Sequence, residues 1–281
     1  MAIKLGQNAY GKNAINVSKI IRHKDYHEFR QISVNVSLAG DFETTHTEGD
    51  NTKVLPTDTQ KNTVYVLAKE HFTDSIEGFG LYLANYFLSN NPPLSQVTIE
   101  ITEHGWARMS FDGKPHPHAY IGGNSEKHTA VIVQTRKGVQ VTSGIKDLLI
   151  LKTTDSGFEH YIKDKYTTLP ETADRIFCTQ CEASWEYSSH ELNFTDTFNK
   201  IRNTLLTIFA DHKSLSVQHT LYYMGEAVLQ ENDIVKEIHL KMPNKHHILY
   251  NLQQFGMDNK NEIFIATDEP YGYITGTVTR S

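Results

Sequence analysis

Cysteine is scarce in this chain of 281 residues: Cys178 and Cys181 are the only two. Their C-x-x-C spacing matches a redox pair or half of a zinc site, but no second pair completes an all-cysteine zinc centre. The flanking Ile176, Phe177 and Trp185 have strand character, in which residues three apart point to opposite faces, so both are expected as free thiols. Long apolar runs are also missing. No stretch approaches the roughly 20 residues needed to cross a bilayer. The opening Met1-Ala2-Ile3-Lys4-Leu5-Gly6-Gln7 has no apolar core of signal-peptide length, so a cytoplasmic location is expected. Basic residues are outnumbered, 27 Lys and Arg against 33 Asp and Glu, for a formal charge of -6. That balance argues against nonspecific attraction to nucleic acid phosphates, which draws on clustered Lys and Arg. Any anionic ligand must be held by local charge.

Hydrophobic content of 38%, charged content of 21% and a mean hydropathy of -0.46 describe a soluble globular chain, long enough for one large domain or two ordinary ones. A period of two predicts strands from Ile15 to Arg22 and His27 to Leu38, where Phe29, Ile32, Val34, Val36 and Leu38 largely alternate with polar residues. Helical spacing follows at Thr59 to Glu70 and Ser75 to Leu88, the latter carrying Ile76, Phe79, Leu83 and Phe87 behind Asp74-x-x-Glu77, a capping-box pattern. After Asn91-Pro92-Pro93, strands are expected at Val97 to Thr102, through Trp106 to Met109, and at Thr129 to Thr135. The second half repeats the order. Strands are read at Gly138 to Ser143, at Leu148 to Thr153 and, broken, at Phe177 to Tyr187. Helices follow at Thr195 to Ala210 and Leu215 to Gln230, then strands at Val235 to Met242, His247 to Leu252, Glu262 to Ala266 and Tyr273 to Thr279. The expectation is an α+β protein of two β-β-α-α-β-β repeats, 1–137 and 138–281. The first helix of the second repeat places Phe198, Ile201, Leu205, Ile208 and Phe209 on one stripe, which suits packing on one sheet face. The other face and the sheet edges need closure or another chain, so an oligomer is expected.

One polar segment stands out, Gly49-Asp50-Asn51-Thr52-Lys53-Val54-Leu55-Pro56-Thr57-Asp58-Thr59-Gln60-Lys61-Asn62-Thr63, running straight into apolar Val64-Tyr65-Val66-Leu67-Ala68. Other distinctive runs are Gln7-Asn8-Ala9-Tyr10-Gly11-Lys12, Pro115-His116-Pro117-His118 and Leu151-Lys152-Thr153-Thr154-Asp155-Ser156-Gly157-Phe158. Further along stand Asp164 to Leu169 through Asp174-Arg175-Ile176, then Val217-Gln218, and Pro243-Asn244-Lys245-His246-His247. In this order and density the runs resemble the urate oxidase (uricase) family over nearly the whole chain. The resemblance implies the tunnelling fold, in which paired subunits close an antiparallel barrel and two barrels stack into a homotetramer. It also implies oxidation of urate by O2 and water to 5-hydroxyisourate and hydrogen peroxide, with neither metal nor organic cofactor.

The residues bear that chemistry, although each has a plainer reading. Lys12 alone reads as a solvated surface lysine; the resemblance makes it a proton relay with Thr57, its amine able to accept a proton when desolvated. Thr57-Asp58-Thr59-Gln60 also fits a capping box, while the family's counterparts of Thr57 and Asp58 reach across from a neighbouring subunit. Separately, Phe158 reads as core, Arg175 as a surface ion pair and Gln218 as helix surface. Together they match one flat anion, through a stacking ring, two parallel donors and an amide for the opposite edge. The resemblance adds the backbone N–H of Val217 and a lining role for Ile274. It further implies that Asn244 holds oxygen or water above the ring and that His246 supports the relay, as suits an imidazole titrating near neutrality. Among the 15 histidines neither His116-Pro117-His118 nor His246-His247 has a recognised zinc spacing, so no metal is expected. Two rival readings remain: a catalytically silent purine-binding protein that keeps the clamp, and a metal-dependent pterin or purine hydrolase on the same fold. The ending Val278-Thr279-Arg280-Ser281 lacks the Ser-Lys-Leu peroxisomal signal, which fits a bacterial-type cytoplasmic enzyme.

Overall fold

The computed structural model describes residues 3–280, the side chains of Asn124 and Asp268 aside. It divides into two compact units. The first runs to Gly144 and takes in Ser189–Asp196; the second holds Ile145–Ser188 and the chain from Thr197. Among the described residues no helix is long and apolar enough to cross a membrane.

In the first unit, strands β1 (Tyr10–Arg22), β2 (His27–Gly40), β3 (Leu94–Phe111) and β4 (Lys114–Thr135) pair antiparallel in chain order. Alternation decides which face is covered: Ile32, Val34, Val36 and Leu38 of β2 and Val97, Ile99 and Ile101 of β3 are buried, while their neighbours along each strand are not. After the short α1 (Glu43–Thr47), helices α2 (Thr57–His71) and α3 (Ile76–Asn90) complete this core with Val64, Leu67, Phe79, Leu83 and Phe87. Two cap assignments differ from the sequence reading. Helix α3 is capped by Ser75, whose hydroxyl accepts from Gly78 N, rather than by Asp74. Glu77 is therefore not a capping-box partner; it is buried, taking a hydrogen bond from His128 Nε2 at 2.7 Å and another from the Ser143 hydroxyl.

The approach to Lys12 is set by close backbone packing. A Cβ on Gly11 would fall 1.8 Å from the Val36 carbonyl oxygen, a position only glycine fits. Just beyond it, Lys12 pairs with Val36 and Ile15 with Val34, so Asn13 and Ala14 together face Asn35 in a β-bulge. Ala14 takes φ 56° there, and its N–H donates to Asn35 Oδ1 at 2.8 Å. Gly11→Ala is expected to lower stability by about 1–3 kcal/mol, as forced overpacking does. An unchanged denaturant midpoint would mean that β1 moves aside freely.

In the second unit, β5 (Gly138–Lys152) enters from the first and is followed by β6 (Phe177–Tyr187), α4 (Phe194–Asp211), α5 (Val217–Glu231) and β7 (Val235–Lys241). The two strands read at Gly138 to Ser143 and Leu148 to Thr153 are thus one, running through Gly144 and Lys146, with Asp147 at φ 58°. Next come β8 (Asn244–Leu249), β9 (Phe264–Gly272) and β10 (Thr275–Thr279), the first of these starting three residues earlier than its periodicity predicts. Strand β7 lies between β6 and β10, while β8 touches β6 at Thr179 and pairs with β9. Trp185, Phe177, Ile201, Leu205, Phe209, Met224 and Val228 form this unit's core. Cys178 and Cys181 are both buried and form no disulfide, and burial pushes the Cys181 thiol up to about 12.

Candidate active site

The long connection 153–176 between β5 and β6 carries two of the expected residues, Phe158 and Arg175, on one wall of a cavity of about 450 Å³. Backbone bonds close the connection at its base. Phe158 N donates to Thr172 O at 2.7 Å, and Thr172 N returns to Phe158 O at 3.1 Å. Asp174 is held by the Thr154 hydroxyl at 2.9 Å, while the Thr172 hydroxyl donates to its carbonyl at 2.7 Å. This closure brings Arg175 beside Phe158, with its guanidinium carbon 5.3 Å from the ring centroid. Arg175 is half-buried and makes no ion pair with Asp or Glu among the described residues. Burial lowers its pKa somewhat, but a guanidinium remains cationic at neutral pH. The site therefore offers an uncompensated positive charge beside an aromatic face.

The opposite wall comes from β8. Asn244 and His246 both line the cavity, on either side of an irregularity in the β8–β9 register, and His247, Ile248 and Leu249 follow them along the same wall. Asn244 is the first residue of the strand, paired with Gly272 and Thr179, rather than a loop amide. Its Nδ2 lies 3.4 Å from His246 Nδ1, in position to donate to it. Burial, and then the charge of Arg175, lower the His246 pKa from its ordinary 6.5. The sign follows: as pH falls through 6.5 the unfolded chain takes the proton first, so native stability is lost there, and the folded imidazole stays neutral below 6.5. An acid limb in kcat/KM due to this group is expected below pH 6.5 and should vanish in His246→Gln; a His246-dependent limb above 6.5 would contradict it.

Val217 and Gln218 open α5. Ser216 caps the helix through His219 N at 3.1 Å, which leaves the N–H groups of residues 217 and 218 in the first turn, where no intrahelical acceptor exists. The same segment is tied to Phe158: Gly157 N donates to Ser214 O, and Ser214 N to Asp155 O, each at 2.8 Å. Ile274 lies beside Asn244, since a Cβ on Gly272 would be 3.5 Å from Ile274 Cδ1 and 3.7 Å from Asn244 Cβ. None of Val217, Gln218 and Ile274 is among the cavity's lining residues.

Lys12, Thr57 and Asp58 belong to the first unit. Tyr10 anchors their neighbourhood, its hydroxyl accepting from Leu55 N at 2.8 Å and its ring meeting Phe42 edge-on at 4.9 Å. Helix α2 is capped by Pro56 with no side-chain bond, and Gln60 Nε2 turns back to Leu55 O at 3.2 Å. The capping box read at Thr57 is therefore absent, because Thr57 already occupies the first helical position and is exposed. Lys61, at 2.5 Å, holds the Asp58 carboxyl below the usual range, with Asn62 and the charge of Lys12 adding to the effect. Lys12 and Asp58 are thus electrostatic neighbours within one chain.

Several lining residues were not read as site residues from the sequence. Leu169, Thr172, Ile248 and Phe264 join the cavity only because the connection and the β8–β9 pair fold against it. Among the described residues, no group of three or more His, Cys, Asp or Glu is arranged to hold a metal ion.

Comparison with known proteins places this arrangement. The uricase family model matches residues 8–133 and 141–275. A uricase of Arthrobacter globiformis is 41% identical over 278 residues, covering 99% of this chain and 90% of that protein. The rabbit (Oryctolagus cuniculus) uricase is 38% identical, with 99% and 95% covered. The crystal structure of the Arthrobacter globiformis uricase superposes with a TM-score of 0.95 at 40% identity, over 100% of this chain and 96% of that one. With Phe158, Arg175, Asn244 and His246 gathered on one cavity, and with likeness along its whole length, the chain belongs to the uricase family.

Proposed function

We propose that this protein oxidises urate with O2 and water to 5-hydroxyisourate and hydrogen peroxide, needing no cofactor, as a cytoplasmic homotetramer built from two repeats per chain, 1–137 and 138–281. The observation that carries the reading is the unpaired cation Arg175 beside the face of Phe158, in a cavity sized for a small heterocycle, in a chain of the uricase family. Urate is flat and anionic. Stacking on Phe158 and two parallel donors from Arg175 suit it; the Gln218 amide, the Val217 N–H and Ile274 lie outside the cavity's lining in this structure, and the reading has them meet the opposite edge of bound urate.

Proton removal by the relay of Lys12, Thr57 and His246 leaves the bound purine electron-rich. It gives two electrons to O2, which takes up two protons to become peroxide, and water adds to the oxidised ring from the position held by Asn244. Because Lys12, Thr57 and Asp58 belong to the same unit of one chain, the neighbouring subunit that supplies Thr57 and Asp58 supplies the lysine with them. The test follows loss of urate's ultraviolet absorbance and formation of peroxide in chelator-treated buffer. One peroxide per urate is expected, and a folded sample without turnover would overturn the proposal.

A further inference from the structure

We infer that Tyr161 is a positioning residue, fixing the plane of the Phe158 ring from the side away from the cavity; the inference rests on Phe158 being the substrate platform. The two rings are stacked, with centroids 4.8 Å apart and 13° between their planes. Phe158 lines the cavity and Tyr161 does not, so the tyrosine covers the other face of the phenyl ring.

The chain is shaped to bring it there. His160, between the two, takes φ 60° in the left-handed region, and its N–H is met by Glu171 Oε1 at 3.3 Å. This reversal returns residue 161 over residue 158. Tyr161 is itself anchored at both ends. Its hydroxyl donates to the Leu169 carbonyl, while Lys163 lies 5.6 Å from the ring centroid and binds Glu171 at 2.9 Å. Leu169 and Glu171 are themselves cavity-lining residues of the same connection, so the support for the platform is tied to the cavity wall.

A phenyl side chain has two free torsions, and a stacking surface contributes most to binding when its plane is set before the ligand arrives. Arg175 sits against the same ring. A tilt of Phe158 would therefore change the angle between platform and cation as well.

In the full-length enzyme, Tyr161→Ala is expected to raise KM for urate about three- to tenfold, the range an aromatic pair supplies, while kcat changes by less than about twofold. Tyr161→Phe keeps the ring and should restore KM to the parent value; Tyr161→Leu keeps bulk without a flat face and should behave like alanine. On a Phe158→Ala background, Tyr161→Ala should add nothing further. An unchanged KM in folded Tyr161→Ala, or an equal further rise on the Phe158→Ala background, overturns the inference. If the alanine variant does not fold, Tyr161→Leu decides in the same way. An unaltered KM in Phe158→Ala would instead overturn the platform reading and the inference with it.

Discussion

Arg175→Gln is expected to lower kcat/KM for urate about a thousandfold, because it removes two charge-assisted hydrogen bonds worth roughly 1.5–3 kcal/mol each and returns at most one neutral donor. Arg30 is paired with Glu103 at 2.7 Å and Lys241 with Glu182 at 2.8 Å, whereas Arg175 faces a cavity and an aromatic ring without a carboxylate partner among the described residues. Its charge contributes little to the fold, so removing it should leave the thermal midpoint unchanged or slightly higher, as relief of a half-buried unpaired charge does. Steady-state kinetics together with thermal unfolding check both halves. A variant that keeps kcat/KM within about threefold would remove Arg175 from the clamp.

Lys12→Met and Thr57→Ala should each lower kcat about 10²- to 10³-fold, the usual contribution of a positioned proton-transfer group. For Thr57→Ala the structure sharpens the expectation on stability. With Pro56 at the N-cap and no side-chain cap bond, the alanine variant should keep its stability within about 0.5 kcal/mol, rather than losing the 1 kcal/mol of a broken cap. Subunit mixing extends the test. If each site joins the first unit of one chain to the second unit of another, refolded mixtures of Lys12→Met with Arg175→Gln recover activity, since some sites then receive neither substitution. Mixtures of Lys12→Met with Thr57→Ala recover none, because the two residues belong to the same unit. Recovery in the second mixture, or its absence in the first, would break the shared-site proposal.

Much of the framework was legible as periodicity. Ile32, Val34, Val36 and Leu38 alternate in sequence and are the residues that β2 buries, and the stripe Ile201, Leu205 and Phe209 is the buried edge of α4. Boundaries were less legible where two residue types compete for one role. Asp74 and Ser75 are both good caps, and only the position of the first helical N–H groups selected Ser75, which freed Glu77 for its buried contact with His128. Thr57 has the same ambiguity, resolved in the opposite direction by Pro56, whose missing N–H and extended ψ of 140° suit the residue before a first helical turn.

By itself the sequence determined the alternation of strands and helices and, through ordered motifs, family membership, because these depend on local period and local spacing. Only the tertiary structure decided that Phe158 and Arg175 meet, since the backbone bonds between Phe158 and Thr172 close a connection with no period of its own. It likewise brought Asn244 and His246 to one cavity wall across an irregular stretch of the β8–β9 pairing, and stacked Tyr161 on Phe158 across the left-handed His160. Such contacts join residues far apart along the chain or turn on one backbone angle, and neither leaves a repeating pattern in the order of side chains.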